Sequence, residues 1–135
     1  MNNTIRVSCN KKNLKLIRDF VTNYLSGYNM SEIVLNQMVL AVDEICANLI
    51  IHANQEDNDK YLTLTVNHQN GGFLFEISDE GKTFEKAKYK EPNIQDNIKQ
   101  GKKGGVGIAL VNRIMDRVEF LTSNGQNICR LYKKV

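Results

Sequence analysis

The stretch GKKGGVGIALV, residues 101 to 111, concentrates glycines directly before an apolar segment with helical spacing. The chain has nine glycines in 135 residues, and this stretch holds Gly101, Gly104, Gly105 and Gly107. Glycine is costly in ordered structure unless the backbone needs a positive φ or another group must approach it closely. Bare backbone at a helix N-terminus presents free amides to an anion, most often a phosphate. The stretch therefore predicts a phosphate site, with an ordinary glycine-rich turn as the alternative.

Two widespread phosphate motifs do not fit this segment. The P-loop needs Gly-Lys-Ser/Thr after a strand, and the dinucleotide fingerprint needs a strand directly upstream of its glycines. The upstream residues here, EPNIQDNIKQGKK, are polar and lack the alternation of a strand. If the glycines bind phosphate, they do so in a different fold.

A carboxylate and an amide lie four residues apart in the long apolar segment IVLNQMVLAVDEICANLIIHA. This spacing puts Glu44 and Asn48 on one face of a helix, and His52 extends the line by one turn. An amide oxygen can coordinate a divalent cation that carries phosphates, and a neighbouring carboxylate can orient or deprotonate a nucleophile. The alternative is a solvent-facing polar stripe on an amphipathic helix.

An aspartate ends the second of two predicted hairpin strands, in ISDEGKTF. Asp79 could accept a hydrogen bond from an exocyclic amine such as adenine N6, and Gly81 would let a flat ring approach the backbone. Asp-x-Gly after a strand also occurs as a simple turn.

The segment between the hairpin and the glycines is rich in positive charge, which suits a polyphosphate ligand. Only Glu85, Glu91 and Asp96 oppose its seven lysines, which are Lys82, Lys86, Lys88, Lys90, Lys99, Lys102 and Lys103. The alternative is a solvated lysine-rich loop.

Composition limits the class of protein. The chain has 135 residues, of which 41% are apolar and 24% are charged. This composition predicts that residues 1–135 form one globular domain. The net charge of +3 gives little support for nucleic-acid binding. There is no apolar signal region, and no apolar run approaches the roughly 20 residues of a membrane span, so we expect a cytoplasmic protein. Three cysteines without metal spacing, Cys9, Cys46 and Cys129, are expected to be buried thiols.

The elements that must position these groups follow the order β-α-α-β-β-α-β-β, with about 25 loop residues before the third helix. Such an order predicts a two-layer α/β sandwich, in which helices cover one face of a mixed, mostly antiparallel sheet. The predicted turn of the first hairpin is Gly71–Gly72, and Ser31 and Gly27 are the predicted helix start and stop. The predicted strands are 5–9, 61–68, 73–78, 117–123 and 127–134, and the predicted helices are 14–25, 32–53 and 106–115.

Taken in order, DEICANLIIHA, ISDEGKTF and GKKGGVGIALV resemble the three nucleotide-binding boxes of the GHKL, or Bergerat-type, ATPase superfamily. Within it, the chain is most similar to the stand-alone bacterial anti-sigma-factor serine/threonine kinases. The resemblance covers nearly the whole chain, since LIRDFV, GIALVNRIMDRVEF and the closing hairpin also fit that group's layout.

The resemblance implies ATP and Mg²⁺ as cofactors and assigns roles to the residues above. Glu44 resembles the general base, Asn48 the Mg²⁺ ligand, and Asp79 the adenine-reading aspartate, with Gly81 beside it. Residues of about 80–105 resemble the ATP lid. The implied contacts to the nucleotide phosphates are Lys103, Gly104, Gly105, Val106 and Gly107.

The chain departs from the family's pattern at three places. Thr83 and Phe84 stand where many members have a second glycine in the middle box. Lys103 stands where some members have an arginine, and a lysine lacks the bidentate fork, which predicts weaker phosphotransfer. Many members have a threonine near the adenine in the last hairpin, where this chain offers Asn127 or Cys129.

The implied function is an ATP-dependent serine/threonine kinase and anti-sigma regulatory factor. The implied partners are a STAS-domain anti-sigma-factor antagonist, a sigma factor and a second copy in a homodimer, with no direct nucleic-acid or membrane contact. The alternative is a nucleotide-gated protein-binding module without kinase activity. The detached ATPase domain of a histidine kinase fits less well, because no phosphoacceptor helix hairpin precedes the domain.

Overall fold

The structure is a computed structural model that describes residues 3–80, 103–123 and 125–135, except for the side chains of residues 80, 103–106 and 123. The predicted Gly81 and lid residues 82–102 lie outside the described residues. The strands are β1 (Thr4–Ser8), β2 (Tyr61–Gln69), β3 (Gly72–Glu80), β4 (Arg117–Ser123) and β5 (Gln126–Lys134). The helices are α1 (Leu14–Ser26), α2 (Glu32–Ala47) and α3 (Lys103–Ile114), with a 3-10 turn at Lys11–Asn13 and a π-helical turn at Asn48–Ala53.

The five strands form one sheet in the order β1-β2-β3-β5-β4, and each neighbouring pair is antiparallel. Two of the four strand pairings are hairpins, β2–β3 and β4–β5. The chain reaches the far edge through α3, and β5 then returns to pair with β3. The predicted two-layer sandwich is confirmed, and within the described residues the sheet is entirely antiparallel rather than mixed.

One face of the sheet and one stripe of each helix form a single core. Alternate residues of the three central strands are buried on that face, since the side chains of a strand point to opposite sides in turn. The strand contribution consists of Leu62, Leu64, Val66, Phe73, Phe75, Ile77, Cys129 and Leu131. The helices contribute Ile17, Val21, Leu25, Met38, Val42, Ile45, Ile108 and Val111.

The first hairpin turns one residue earlier than predicted. Asn70 and Gly71 have φ angles of 53° and 74°, as a two-residue type I′ turn requires, and Gly72 already belongs to β3. A Cβ on Gly72 would lie 2.8 Å from both Tyr132 Oη and Lys134 Cα, so Gly72 is needed for close strand packing instead of for the turn.

The third helix begins at Lys103, three residues before the predicted start at Val106. Gly104, Gly105 and Gly107 therefore lie within the first turns of α3 and not in a loop before it. The first N–H groups of a helix have no partner within the helix, so the free amides of α3 come from the Lys103–Gly105 end.

Glu32–Ala53 is a continuous helical segment of 22 residues, which by length and composition alone could cross a membrane. The sequence pattern had indicated no apolar run of this size. Its apolar side chains, Met38, Val42, Ile45 and Ile50 among them, pack in the core of the sandwich. Core helices of this kind also satisfy the length and composition criteria.

The start of α2 provides a test of the fold. The Ser31 side chain caps the helix by accepting a hydrogen bond of 3.2 Å from the N–H of Val34, as predicted. Ser31→Ala should lower the free energy of unfolding by about 1 kcal/mol, because the amide loses its partner. Ser26→Ala is the matched control at the exposed end of α1, where loss of the hydroxyl bond to Thr22 should cost less than about 0.5 kcal/mol. Urea denaturation measures both, and equal effects would contradict the capping role.

Candidate functional site

Glu44 and Gly107 meet where α2 packs against α3. A Cβ on Gly107 would overlap Glu44 Oε2 and lie 3.0 Å from Glu44 Cδ. Any side chain at position 107 would therefore displace the carboxylate. The structure thus brings together two predicted site residues 63 positions apart in the sequence (107 minus 44), and it leaves Glu44 only half-buried.

Asn48 lies one turn beyond Glu44, where regular α2 ends and the π-helical turn begins. Its backbone N–H bonds to the carbonyls of Glu44 and Ile45. Its side-chain Nδ2 is buried without a hydrogen-bond partner, the one such side-chain atom among the described residues. An unpaired buried amide costs roughly 1–3 kcal/mol and calls for an explanation such as a ligand.

Magnesium fits this pair of side chains. Mg²⁺ takes one or two protein oxygens together with substrate phosphates and waters, and an amide can turn to present either its nitrogen or its oxygen. The described residues contain no cluster of three or more His, Cys, Asp or Glu side chains suited to a metal. A cation here would rely on the amide oxygen of Asn48 and on phosphates, with Glu44 nearby.

Asp79 lies on the helix-facing side of β3 and is only 1% exposed. Its Oδ1 accepts a bond of 3.1 Å from the N–H of Asn127, and its Oδ2 accepts one of 2.7 Å from Asn127 Nδ2. Asn54 Nδ2 donates a third bond of 3.3 Å to Oδ2. The predicted strand-end position is confirmed, and the carboxylate is buried among donors.

A cavity of about 140 Å³ lies between the π-helical turn and the β4–β5 hairpin. Asn127 lines this cavity and is hydrogen-bonded to Asp79. Its wall combines apolar side chains with polar groups in similar measure, which suits a flat ring with a polar edge. Its lining consists of Leu49, Phe120, Leu121, Thr122, Asn127, Ile128 and Cys129.

The three cysteines are free and buried, as predicted. Burial, together with the nearby Asp79 carboxylate, raises the pKa of the Cys9 thiol to about 11. Burial also raises the pKa of Cys46 and of Cys129. These groups stay protonated thiols at neutral pH and do not serve as nucleophiles.

Sequence reasoning missed Asn54. The sequence pattern assumed a regular helix through this segment, whereas the π-helical turn changes the rotation per residue. His52 is exposed, while Asn54 turns inward to Asp79. Asn127, one of two candidates for a contact near the base, is the one that touches Asp79.

Several predicted site residues are not tested by these contacts. Gly81 and the lysines from Lys82 to Lys102 lie outside the described residues. For Lys103, Gly104, Gly105 and Val106 the structure describes the helical backbone and not the side chains.

A thermodynamic cycle tests the contact between Glu44 and Gly107. Gly107→Ala adds a Cβ that forces the carboxylate away, which offsets the gain of about 1 kcal/mol that alanine brings to a helix interior. In a Glu44→Ala background the space is free, so Gly107→Ala should stabilise by about 1 kcal/mol more than in the wild type. Thermal and urea unfolding measure the four proteins.

Ala109→Gly, at an exposed position of α3, serves as the control and should cost the same with or without Glu44. A Gly107→Ala effect that is independent of Glu44 would contradict the contact.

Proteins of known type are similar to this chain in sequence and in fold. The serine-protein kinase RsbW of Halalkalibacterium halodurans is 27% identical over 103 residues, which cover 73% of this chain and 61% of the relative. The chain thus spans about three fifths of the length of that relative.

A crystal structure of the RsbU and RsbW domains of Rv1364c from Mycobacterium tuberculosis has the same fold, with a TM-score of 0.63 at 10% identity. The match covers 98% of this chain and 32% of that one. The family model described as histidine kinase-like ATPase domain matches residues 7–133. Because this match includes nearly the whole sequence, the chain belongs to the histidine kinase-like ATPase domain family.

Proposed function

We propose that this protein is an ATP-dependent serine/threonine protein kinase that phosphorylates a small regulatory protein. The observation that carries the proposal is the meeting of Glu44 with α3 at Gly107, beside the unpaired buried amide of Asn48. A carboxylate, a metal-competent amide and the free amides of a helix start are the groups that phosphoryl transfer needs.

Each group has one role in the proposed reaction. A serine or threonine oxygen of the partner attacks the γ-phosphorus, and the bond from that phosphorus to the β–γ bridging oxygen breaks, which releases ADP. Glu44 accepts the proton of the attacking hydroxyl. Asn48 would hold Mg²⁺, which when bound neutralises charge on the phosphates. The N–H groups at the Lys103–Gly105 end of α3 bind phosphate oxygens, and Lys103 adds a positive charge.

The adenine base is proposed to occupy the cavity beside Asn127, with its amine directed at Asp79. A buried acceptor-only carboxylate binds an exocyclic amine and repels the carbonyl that guanine has at the same position. Gly81 is proposed to lie against the ring, and residues of about 80–105 to act as the ATP lid.

The partner is proposed to be a STAS-domain anti-sigma-factor antagonist. The resemblance to the anti-sigma-factor serine/threonine kinases supports this, and the likeness to the serine-protein kinase RsbW of H. halodurans supports a serine acceptor. On the same basis we propose that the protein also binds a sigma factor, works in the cytoplasm and forms a homodimer, without contacting nucleic acid or membrane directly.

Phosphotransfer separates this proposal from its alternative. With γ-labelled ATP and STAS-domain candidates, Glu44→Ala should reduce phosphoserine or phosphothreonine formation by about 10²- to 10⁴-fold, because a base acts only in the reaction. Nucleotide affinity should stay within a few fold of the wild type. Gln37→Ala, exposed on the same helix, is the control and should transfer at the wild-type rate.

Two results would overturn parts of this view. If wild-type protein binds ATP and its partner but transfers no phosphate, the protein is a nucleotide-gated binding module. If Glu44→Ala transfers normally, another group is the base.

Nucleotide binding tests Asn48 and Asp79 separately. Asn48→Ala should weaken Mg²⁺-dependent binding of ATP by at least about tenfold, or 1.4 kcal/mol, while Asn36→Ala on the exposed face of α2 should not. Asp79→Asn keeps the shape of the side chain but introduces a donor, so the preference for ATP over GTP should fall. Isothermal titration calorimetry gives both quantities. Unchanged Mg²⁺ dependence would remove Asn48 as the ligand, and an unchanged ATP to GTP ratio would remove Asp79 as the base reader.

A further inference from the structure

The chain that follows α2 is irregular over nine consecutive residues. It passes through the π-helical turn Asn48–Ala53, then Asn54 at φ −112° and ψ 0°, then Gln55 and Glu56 at φ 52° and 55°. Two adjacent non-glycine residues in the left-handed region cost about 1–2 kcal/mol each. Strain of this kind persists only where the surroundings impose it, so the path of this segment requires a physical reason.

The path has one clear result, which is that Asn54 is buried at 3% exposure with its side chain directed inward. Its backbone N–H and its Nδ2 both donate to the carbonyl of Leu49, at 2.9 and 2.8 Å. Backbone bonds from Glu56 to Ile50 and from Asp57 to Asn54 close the turn around it. In this position Nδ2 also lies 3.3 Å from Asp79 Oδ2.

The hydrogen bond from Asn54 Nδ2 occupies one of the acceptor positions of the Asp79 carboxylate. A carboxylate oxygen accepts about two hydrogen bonds. Among the described residues Oδ2 has two donors, Asn127 Nδ2 and Asn54 Nδ2, whereas Oδ1 has one, the N–H of Asn127. Counted over the same residues, one acceptor position remains, and it belongs to Oδ1.

We propose that Asn54 is a positioning residue for base recognition, which fixes Asp79 so that Oδ1 receives the 6-amino group of the purine. This inference rests on the proposed function, because it takes Asp79 as the reader of the base. Asn54 acts through Asp79 and needs no contact with the nucleotide. Loss of its donor leaves Oδ2 short of one hydrogen bond, and the bonds from Asn127 then hold the carboxylate less firmly, so that selectivity for the amine declines.

A purely structural role for Asn54 is the competing explanation, since its bonds to Leu49 would close the helix end in either case. Structural damage would weaken all nucleotides alike. A positioning role changes the ratio of two affinities and does so only when Asp79 is present.

The experiment measures that ratio for ATP and purine riboside triphosphate, which differs from ATP only by lacking the 6-amino group. Calorimetry is carried out on wild type, Asn54→Ala, Asp79→Asn and the double variant. Wild type should prefer ATP, and Asn54→Ala should reduce the preference about fivefold, which is the net worth of one ordinary hydrogen bond. In the Asp79→Asn background, Asn54→Ala should leave the ratio unchanged.

Two further variants complete the design. Asn54→Ser keeps a donor for the Leu49 carbonyl but is too short to reach Asp79, so it should reproduce the change in ratio if Asn54→Ala does not fold. Asn58→Ala alters an exposed asparagine of the same turn, bonded to Asn10, and should leave the ratio at the wild-type value.

The outcomes distinguish the inference from the function on which it rests. Wild type without a preference for ATP over the analogue would overturn the reading of the base by Asp79 and, with it, the role of Asn54. A wild-type preference that survives both Asn54 variants would overturn the positioning role alone. A fivefold change that persists in the Asp79→Asn background would assign Asn54 a structural role.

Discussion

The burial of the Asp79 carboxylate is the constraint on which this end of the sandwich depends. A charged group with 1% exposure is costly unless donors replace the water it has lost. The β3–β5 register supplies two, because the pairing of Ser78 with Ile128 brings Asn127 beside Asp79. The third donor is Asn54 Nδ2, which reaches the carboxylate because the chain after α2 departs from regular helix. The Asp79 side chain therefore depends on three features of the fold for its hydrogen bonds. These are the strand pairing, the π-helical turn and the strained residues that follow the turn.

The helix α2 links that end of the sheet to α3. Its apolar stripe, with Met38, Val42 and Ile45, packs in the core and fixes the rotation of the helix. This rotation directs Glu44 towards α3, where the missing side chain of Gly107 leaves room for the carboxylate. Because Gly107 is in contact with the Glu44 carboxylate, a displacement of the first turns of α3 would also move that carboxylate.

The likeness to the RsbW domain at 10% identity shows how little of the sequence a two-layer sandwich needs. The layers require apolar alternation on one sheet face and a stripe on each helix, which many sequences supply. A fold of this kind carries several activities, so the argument for phosphotransfer depends on individual side chains. Glu44 and Asn48 support phosphotransfer by their placement.

The local pattern of the sequence determined the element order, the sheet layer and most helix limits, because periods of two and of 3.6 residues are properties of neighbouring positions. The resemblance of three ordered segments to the GHKL nucleotide-binding boxes also grouped Glu44, Asn48, Asp79 and Gly107. The pattern could not locate the π-helical turn, since the residues at Asn48–Ala53 are equally compatible with a regular helix. For that reason Asn54 was overlooked. The tertiary structure decided these points, because the donor to Asp79 and the space beside Glu44 arise from contacts between segments distant in the chain, which no local spacing encodes.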